Sequence, residues 1–221
     1  MMTDAPSPGA CLDLARPHLQ RYLDELYAWN ERVNLTAVPR QSAWSKHIDE
    51  VVDMLSTVAI SVGATLADVG SGGGVPGIPL ALLRSDLQVT LIESDQRKAG
   101  FLIHVAGVLG LTTLRVLATR AETVARDPQR RECYDVVVTR ATAAAPVLCE
   151  LCLPLVATGG QLLALVSDAT GDALASLTAS SACGGAPPEA ITERLLRIAK
   201  VGPTPERYPR RVGVPQRSPI A

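Results

Sequence analysis

The sequence predicts an α/β fold, an open and mostly parallel sheet with helices on both faces. Short β-rich runs alternate with apolar runs of helical spacing from residue 65 onward, which is typical of parallel sheets wound on both faces. A glycine-rich stretch directly follows the first β-rich run, as in nucleotide-binding sheets. The residues before 60 show helical spacing instead. At 221 residues the chain can bury the core of one full-sized domain.

Helical spacing begins near the N-terminus and runs from Cys11 to about Trp29, where four leucines recur between charged residues: Leu12, Leu19, Leu23 and Leu26. Residues 30–39 form a break, and a second helix is predicted from about Ser42 to Ile60. We therefore expect residues 1–60 to form an N-terminal helical cap and residues 61–221 to form a Rossmann-like domain.

The sheet is predicted from four short β-rich runs, TLADV (65–69), VTLIE (89–93), TLRVLA (113–118) and YDVVVT (134–139), and GGQLLALV (159–166) adds a fifth strand. Helices are expected after the glycine-rich stretch, over residues 99–110 and over residues 145–156. Residues 167–190 predict a weak helix and loop. Residues 191–201 predict a sixth strand or a short helix, and the proline-rich end predicts a loop.

Composition limits the class of protein. The chain has no apolar run long enough to span a membrane and no signal-peptide pattern in MMTDAPSPGA. Five cysteines without framework spacing predict a reduced, cytoplasmic compartment. Cys149 and Cys152 form a C-x-x-C in an apolar helical stretch, and we expect core packing rather than a metal site. No metal is predicted.

The charge distribution is uneven. The net charge is −1, but residues 191–221 carry seven basic side chains against Glu193 and Glu206. This basic end predicts either a local anion contact or a solubilising terminus.

The glycine-rich stretch, Gly72 to Gly77, fits G-x-G-x-x-G, and Glu93 follows about twenty residues later. A nicotinamide dehydrogenase is therefore one interpretation. Pro76 and Pro79 argue against it, because they remove two N–H donors from the helix end that would hold a pyrophosphate. The chain also leaves no room for a substrate domain, and none of its three histidines has an obvious place as the acid of hydride transfer.

A nucleoside without phosphates suits this loop better. Asp68 and Glu93 end the first two predicted strands, where their carboxylates can accept hydrogen bonds from a ligand at the carboxyl edge of the sheet. This combination predicts S-adenosylmethionine as the cofactor.

Three features of the sequence belong together: WNERVNLT (29–36), His47 and DVGSGGGVPGIPL (68–80). In this order they closely resemble the RsmG (GidB) family of bacterial 16S rRNA guanine-N7 methyltransferases. The resemblance continues through LIES (91–94), Lys98, Phe101-Leu102, Arg120-Ala121-Glu122, Tyr134-Asp135, Arg140-Ala141, Pro154-Leu155, Gly159-Gly160 and Tyr208-Pro209-Arg210.

The resemblance implies a class I S-adenosylmethionine-dependent methyltransferase fold with a mostly parallel seven-stranded sheet. It also implies methyl transfer to a guanine N7 in the 530 loop of 16S rRNA. Gly70 and Val75 would line the methionine end of the cofactor, and Glu93 would hold its ribose. Asp68 and Gly72 are also expected to bind the cofactor. Ala121 and Glu122 would flank the adenine, and Arg140 would border the site.

No acid or base catalyst is expected, since guanine N7 carries a lone pair and no proton, and the task is one of orientation. Arg140 is the one candidate for a catalytic role. His47, with Glu50 one helical turn on, predicts a structural interface to the sheet. Arg207, Arg210, Arg211 and Arg217 are the expected phosphate contacts.

The chain departs from the family where Val166-Ser167 replaces Lys-Gly after the fifth strand. Either contacts at that rim are weaker or another basic residue substitutes. We expect a monomer acting on 16S rRNA or the assembling small subunit. Alternatives are another RNA or small-molecule acceptor, or a ribosome-binding module that holds the cofactor without turnover.

Overall fold

The computed structural model describes residues 8–140 and 143–220. Within them the chain forms one seven-stranded sheet in the order β3-β2-β1-β4-β5-β7-β6. Its strands are β1 Thr65–Val69, β2 Gln88–Ile92, β3 Leu114–Leu117, β4 Tyr134–Arg140, β5 Val156–Leu165, β6 Glu189–Ala190 and β7 Leu195–Ala199.

The helices lie before, between and after these strands. They are α1 Pro8–Asn30, α2 Glu50–Thr57, α3 Gly77–Leu83, α4 Gln96–Val108, α5 Ala121–Val124, α6 Ala145–Cys152, α7 Ala169–Ala175, α8 Leu177–Ala182 and α9 Val214–Arg217. The short helix after β3 and the one in the proline-rich end were not predicted. Short 3₁₀ turns cover Arg40–Ser42 and Leu153–Leu155, and a π-helical turn covers Ser45–Asp49.

The sequence predictions hold for most elements and fail at some boundaries. The second predicted helix, 42–60, is instead a π-helical turn followed by α2, and it ends at Thr57. The helix predicted over 145–156 ends at Cys152, because Pro154 lacks the N–H that would continue it. The segment 195–199 is a strand, and β6 was not predicted.

Strand pairing explains why the carboxyl ends of β1 and β4 face a common site. β1 pairs in parallel with β2 on one side and with β4 on the other. The chain order therefore reverses between β1 and β4, and a crevice forms at such a switch point. The outer strand β7 is antiparallel to β5, so the sheet is mostly parallel.

The first N-terminal helix packs against α3 and α4 and shares an apolar cluster with the sheet. Leu19, Tyr22 and Leu26 of α1 are buried in the same apolar cluster as β1 and β2 residues. Residues 1–7 lie outside the described residues, and the division into a cap and a sheet domain at residue 60 stays a prediction. None of the helices within the described residues is long and apolar enough to cross a membrane.

Candidate functional site

The loop after β1 contains glycines whose backbone angles or close contacts disfavour a side chain. Gly70 and Gly72 have positive φ angles of 71° and 54°, which side chains rarely adopt. Gly77 begins α3, where an added Cβ would lie 2.4 Å from Leu91 Cδ2 and 2.7 Å from Asp68 Oδ2. The loop therefore approaches the ends of β1 and β2 more closely than any side chain allows.

Asp68 lies beneath this loop with its carboxylate fully buried. Its Oδ2 accepts a hydrogen bond from the Gly77 N–H at 3.1 Å. Its Oδ1 is buried and has no hydrogen-bond partner among the described residues. Burial raises the pKa of Asp68 to about 7, against the opposing effect of the Gly77 N–H. Such an unsatisfied oxygen indicates a site that a ligand can complete.

Glu93 links the loop after β1 to the loop after β2. Its Oε2 accepts from the Gly72 N–H at 2.8 Å, and its Oε1 accepts from the Asp95 N–H at 2.7 Å. Each carboxylate oxygen keeps a second lone pair that a ribose hydroxyl can use. The predicted ribose contact therefore fits the position of Glu93 at the carboxyl end of β2.

The side chains of the other predicted cofactor residues after β1 and β3 are buried. Val75 is buried in the apolar cluster that contains α1, so its side chain supports the loop. Ala121 begins α5 after β3, the strand next to β2. Glu122 is buried, and its Oε1 accepts from the Gly213 N–H at 3.0 Å. The Glu122 carboxylate thus holds the C-terminal segment.

Arg140 ends β4 and is held by the N-terminal region. Its Nη1 donates to the Lys46 carbonyl at 2.9 Å and lies 3.0 Å from His47 Nδ1. Burial and the Arg140 charge lower the pKa of His47 to about 4, so the ring is neutral and accepts at Nδ1. Its Nε2 lies 3.2 Å from Thr36 Oγ1. The predicted contact between His47 and the sheet is present, with Arg140 as the partner rather than Glu50.

The segment after β4 is only partly described. Ala141 and Thr142, which complete the predicted motif that begins at Arg140, lie outside the described residues.

The four arginines predicted to contact RNA differ in their surroundings. Arg207, Arg211 and Arg217 are exposed. Arg210 instead pairs with buried Glu150, its Nη2 donating to Oε2 at 2.6 Å and its Nε to Oε1 at 2.9 Å. Its Nη2 also donates to the Ser218 carbonyl at 2.7 Å. The Arg210 guanidinium is therefore a structural anchor.

Internal cations fix the C-terminal segment, and the sequence pattern did not reveal this role. Lys200 is buried, and its Nζ lies 3.1 Å from Glu132 Oε1. Arg131 donates to the carbonyls of Thr204 at 2.7 Å and Tyr208 at 2.9 Å. At least one basic side chain near the C-terminus, that of Lys200, is thus paired inside the protein.

Cys149 and Cys152 are buried in one apolar cluster, which confirms core packing. Burial raises the pKa of the Cys149 thiol to about 12.

The fold and the loop define a class of protein. A mostly parallel seven-stranded sheet, with a glycine loop and carboxylates at its switch point, is the Rossmann-like class I methyltransferase fold. Two solved structures agree in fold. One is a SAM-dependent methyltransferase from Aquifex aeolicus, with a TM-score of 0.53 and 12% identity, covering 71% of this chain and 90% of that one. The other is a putative S-adenosylmethionine-dependent methyltransferase from Methanococcus maripaludis, with a TM-score of 0.54 and 12% identity, covering 69% and 84%.

Sequence comparison identifies the family. Residues 15–195 match the GidB family, described as rRNA small subunit methyltransferase G. The chain is 46% identical over 213 residues to Ribosomal RNA small subunit methyltransferase G of Roseiflexus sp. (strain RS-1), covering 90% of this chain and 89% of the relative. It is 37% identical over 217 residues to the protein of that name from Geobacillus thermodenitrificans (strain NG80-2), covering 93% and 91%. The chain belongs to this family, as the resemblance predicted.

Proposed function

We propose that the protein transfers a methyl group from S-adenosylmethionine to N7 of a guanine in the 530 loop of small-subunit rRNA. The family and the names of its relatives support methylation of small-subunit rRNA. The observation that carries the proposal is the buried Asp68 beneath the glycine loop, with one carboxylate oxygen left unpartnered beside Glu93.

The residues present fit this cofactor. Close approach is possible because Gly70 and Gly72 carry no side chain, and the free lone pairs of Glu93 suit ribose hydroxyls. The Ala121 and Glu122 backbone would border the adenine, since the Glu122 side chain is bonded to Gly213. When bound, S-adenosylmethionine supplies an electrophilic methyl group on a positively charged sulfur.

The reaction needs no proton transfer at the attacking atom. A bond forms between guanine N7 and the methyl carbon while the carbon–sulfur bond breaks, and its electron pair stays on sulfur. The positive charge moves to the purine. The protein's task is then alignment and charge stabilisation, and neutral His47 holds Arg140 beside the site for this purpose.

RNA would reach the site as a single-stranded or looped segment, because an A-form major groove hides the N7 edge. Exposed Arg207, Arg211 and Arg217 are the proposed phosphate contacts. Arg210 is left out because Glu150 holds its guanidinium. A monomer in the cytoplasm stays our prediction.

Methyl transfer from labelled S-adenosylmethionine to small subunits and to naked rRNA tests the proposal directly. Both substrates should come from cells that lack the enzyme, and the modified base should be mapped. Label at a single guanine N7 is the expected result. Glu93→Gln is a near-isosteric variant. Its single carbonyl oxygen can accept from the Gly72 or the Asp95 N–H but not from both, and we expect cofactor affinity to fall about tenfold.

Other outcomes select the alternatives. Transfer to a different RNA or to a metabolite would show that small-subunit rRNA is not the acceptor. Binding of cofactor and subunit without transfer would indicate a binding module.

A further inference from the structure

A cavity of about 870 Å³ lies beside Arg140 at the carboxyl ends of β4 and β5. This volume falls within the range of about 300–1,000 Å³ that is usual for small-molecule sites. Its polar lining includes Thr36, Lys46, Glu50, Arg140, Asp172 and Arg194. Arg140 lies in this lining and ends β4, the strand that pairs with β1, so the cavity borders the carboxyl edge of the sheet where the glycine loop follows β1.

Two cations stand at the mouth of the cavity. Lys46 Nζ lies 3.3 Å and Arg194 Nη2 lies 3.6 Å from Glu50 Oε1, and about half of each cationic side chain is exposed, 51% and 53%. Arg194 also lies next to Val166, whose N–H donates to the Arg194 carbonyl at 2.9 Å. The two cations thus balance the negative charge of Glu50. Each of them has further N–H donors that can bind a phosphate.

Asp172 differs from Glu50. It lies in the first turn of α7 and lines the same cavity. Among the described residues, no hydrogen bond or ion pair reaches its carboxylate, although its backbone N–H donates to the Asp168 carbonyl. Partial burial raises the pKa of Asp172. This wall of the cavity therefore presents a carboxylate that can accept two hydrogen bonds from a ligand.

We propose that this cavity receives the target guanine and that the Asp172 carboxylate accepts from its N1–H and exocyclic amino group, while Lys46 and Arg194 contact the flanking phosphates. The inference rests on the proposed guanine-N7 methylation. Adenine lacks the N1–H, and both pyrimidines lack this pair of adjacent donors on one edge. Asp172 would therefore determine the base specificity.

The shape of guanine agrees with this placement. Its N1–H and amino group lie on the Watson–Crick edge, whereas N7 lies on the neighbouring Hoogsteen edge. A guanine bound to Asp172 through its Watson–Crick edge therefore keeps N7 free to attack the methyl donor.

The contact would also assist the reaction. Methylation places a positive charge on the purine, which makes its N1–H and amino group stronger donors. Asp172 removes no proton; its hydrogen bonds become stronger as charge develops, so they stabilise the transition state more than the bound substrate.

The test combines one protein variant with one base analogue. Inosine retains N7 and N1–H but lacks the amino group. Small subunits are assembled with guanosine or inosine at the position that the wild-type enzyme methylates, and kcat/KM is measured for wild-type and Asp172→Asn enzymes. Wild-type enzyme should prefer guanosine by about tenfold, and Asp172→Asn should reduce that ratio to about one.

Matched variants separate this role from a general charge effect. Glu193→Gln removes one exposed negative charge nearby and should leave the guanosine-to-inosine ratio unchanged. Lys46→Ala and Arg194→Ala should raise KM without changing that ratio. Calorimetry with S-adenosylmethionine confirms that each variant is folded.

The two proposals fail differently. If the wild-type enzyme labels no guanine N7, the proposed function is wrong. If it labels N7 and Asp172→Asn keeps the wild-type preference for guanosine, the function stands and the assignment of Asp172 is overturned.

Discussion

The glycine loop, residues 70–77, and the C-terminal segment, residues 200–217, are both held by buried carboxylates from other elements. At the loop, Asp68 and Glu93 accept from backbone N–H groups, and Asp68 Oδ1 stays unpartnered among the described residues. At the segment, both oxygens of Glu150 are bonded to Arg210.

This difference separates a binding site from an anchor. The loop keeps acceptor capacity that a ligand can use, whereas Glu150 is satisfied within the protein. Burial of a carboxylate alone therefore does not indicate function; the partners of its oxygens do.

The largest effect on stability is expected from Arg210→Ala. It leaves Glu150 buried without its cation, and the free energy of unfolding should fall by about 3 kcal/mol. Urea unfolding measures the change. The control is Arg211→Ala, a neighbouring exposed arginine, which should stay within about 0.5 kcal/mol of wild type. Equal stability of both variants would contradict the anchor role.

Gly77→Ala should destabilise the glycine loop and weaken the binding of the cofactor. The new Cβ would press on Leu91 and Asp68, and such overpacking costs about 2 kcal/mol. Affinity for S-adenosylmethionine should be lost in calorimetry. Gly100→Ala is the control, because nothing lies within 4 Å of its Cβ position in α4 and alanine favours a helix. Normal binding by Gly77→Ala would show that the loop tolerates a side chain.

Asp68→Asn should make the cofactor-free protein more stable by about 1–2 kcal/mol at about pH 8. The pKa of Asp68 is raised to about 7 in the folded protein, so wild type must bury an ionised carboxylate above that pH. As pH falls from about 8 to about 5, folded wild type takes up the proton and its deficit becomes smaller. The deficit disappears only below the ordinary Asp pKa of about 4, where the unfolded chain is protonated as well. Thermal unfolding at both pH values, with cofactor affinity alongside, checks this; an equal difference at both would disprove the linkage.

Arg211→Ala and Arg217→Ala should have the smallest effects. Each should leave stability unchanged and weaken subunit binding about threefold, with the slope of log affinity against log salt reduced by about one. Filter binding over a salt series measures this. Cofactor affinity serves as the control and should not change. An unchanged salt slope in both variants would show that these arginines do not contact RNA phosphates.

Much of the fold could be predicted because its signals are local. Alternation of β-rich and helical runs located β1 to β5, and the glycine pattern located the loop before Gly77. The boundaries near Thr57 and Cys152 were missed, since proline and the end of an apolar face shift helix ends by a few residues.

By itself, the sequence determined the class of fold, the family and the position of the glycine loop. Each can be predicted from residues that are close together in the chain, because the geometry of helices, strands and turns sets the spacing of those residues. The tertiary structure alone decided which charges are available. It paired Arg210 with Glu150 across 60 residues and Arg140 with His47 across 93, and it left Asp172 facing a cavity. Such pairings depend on how distant segments pack, and no local pattern records them.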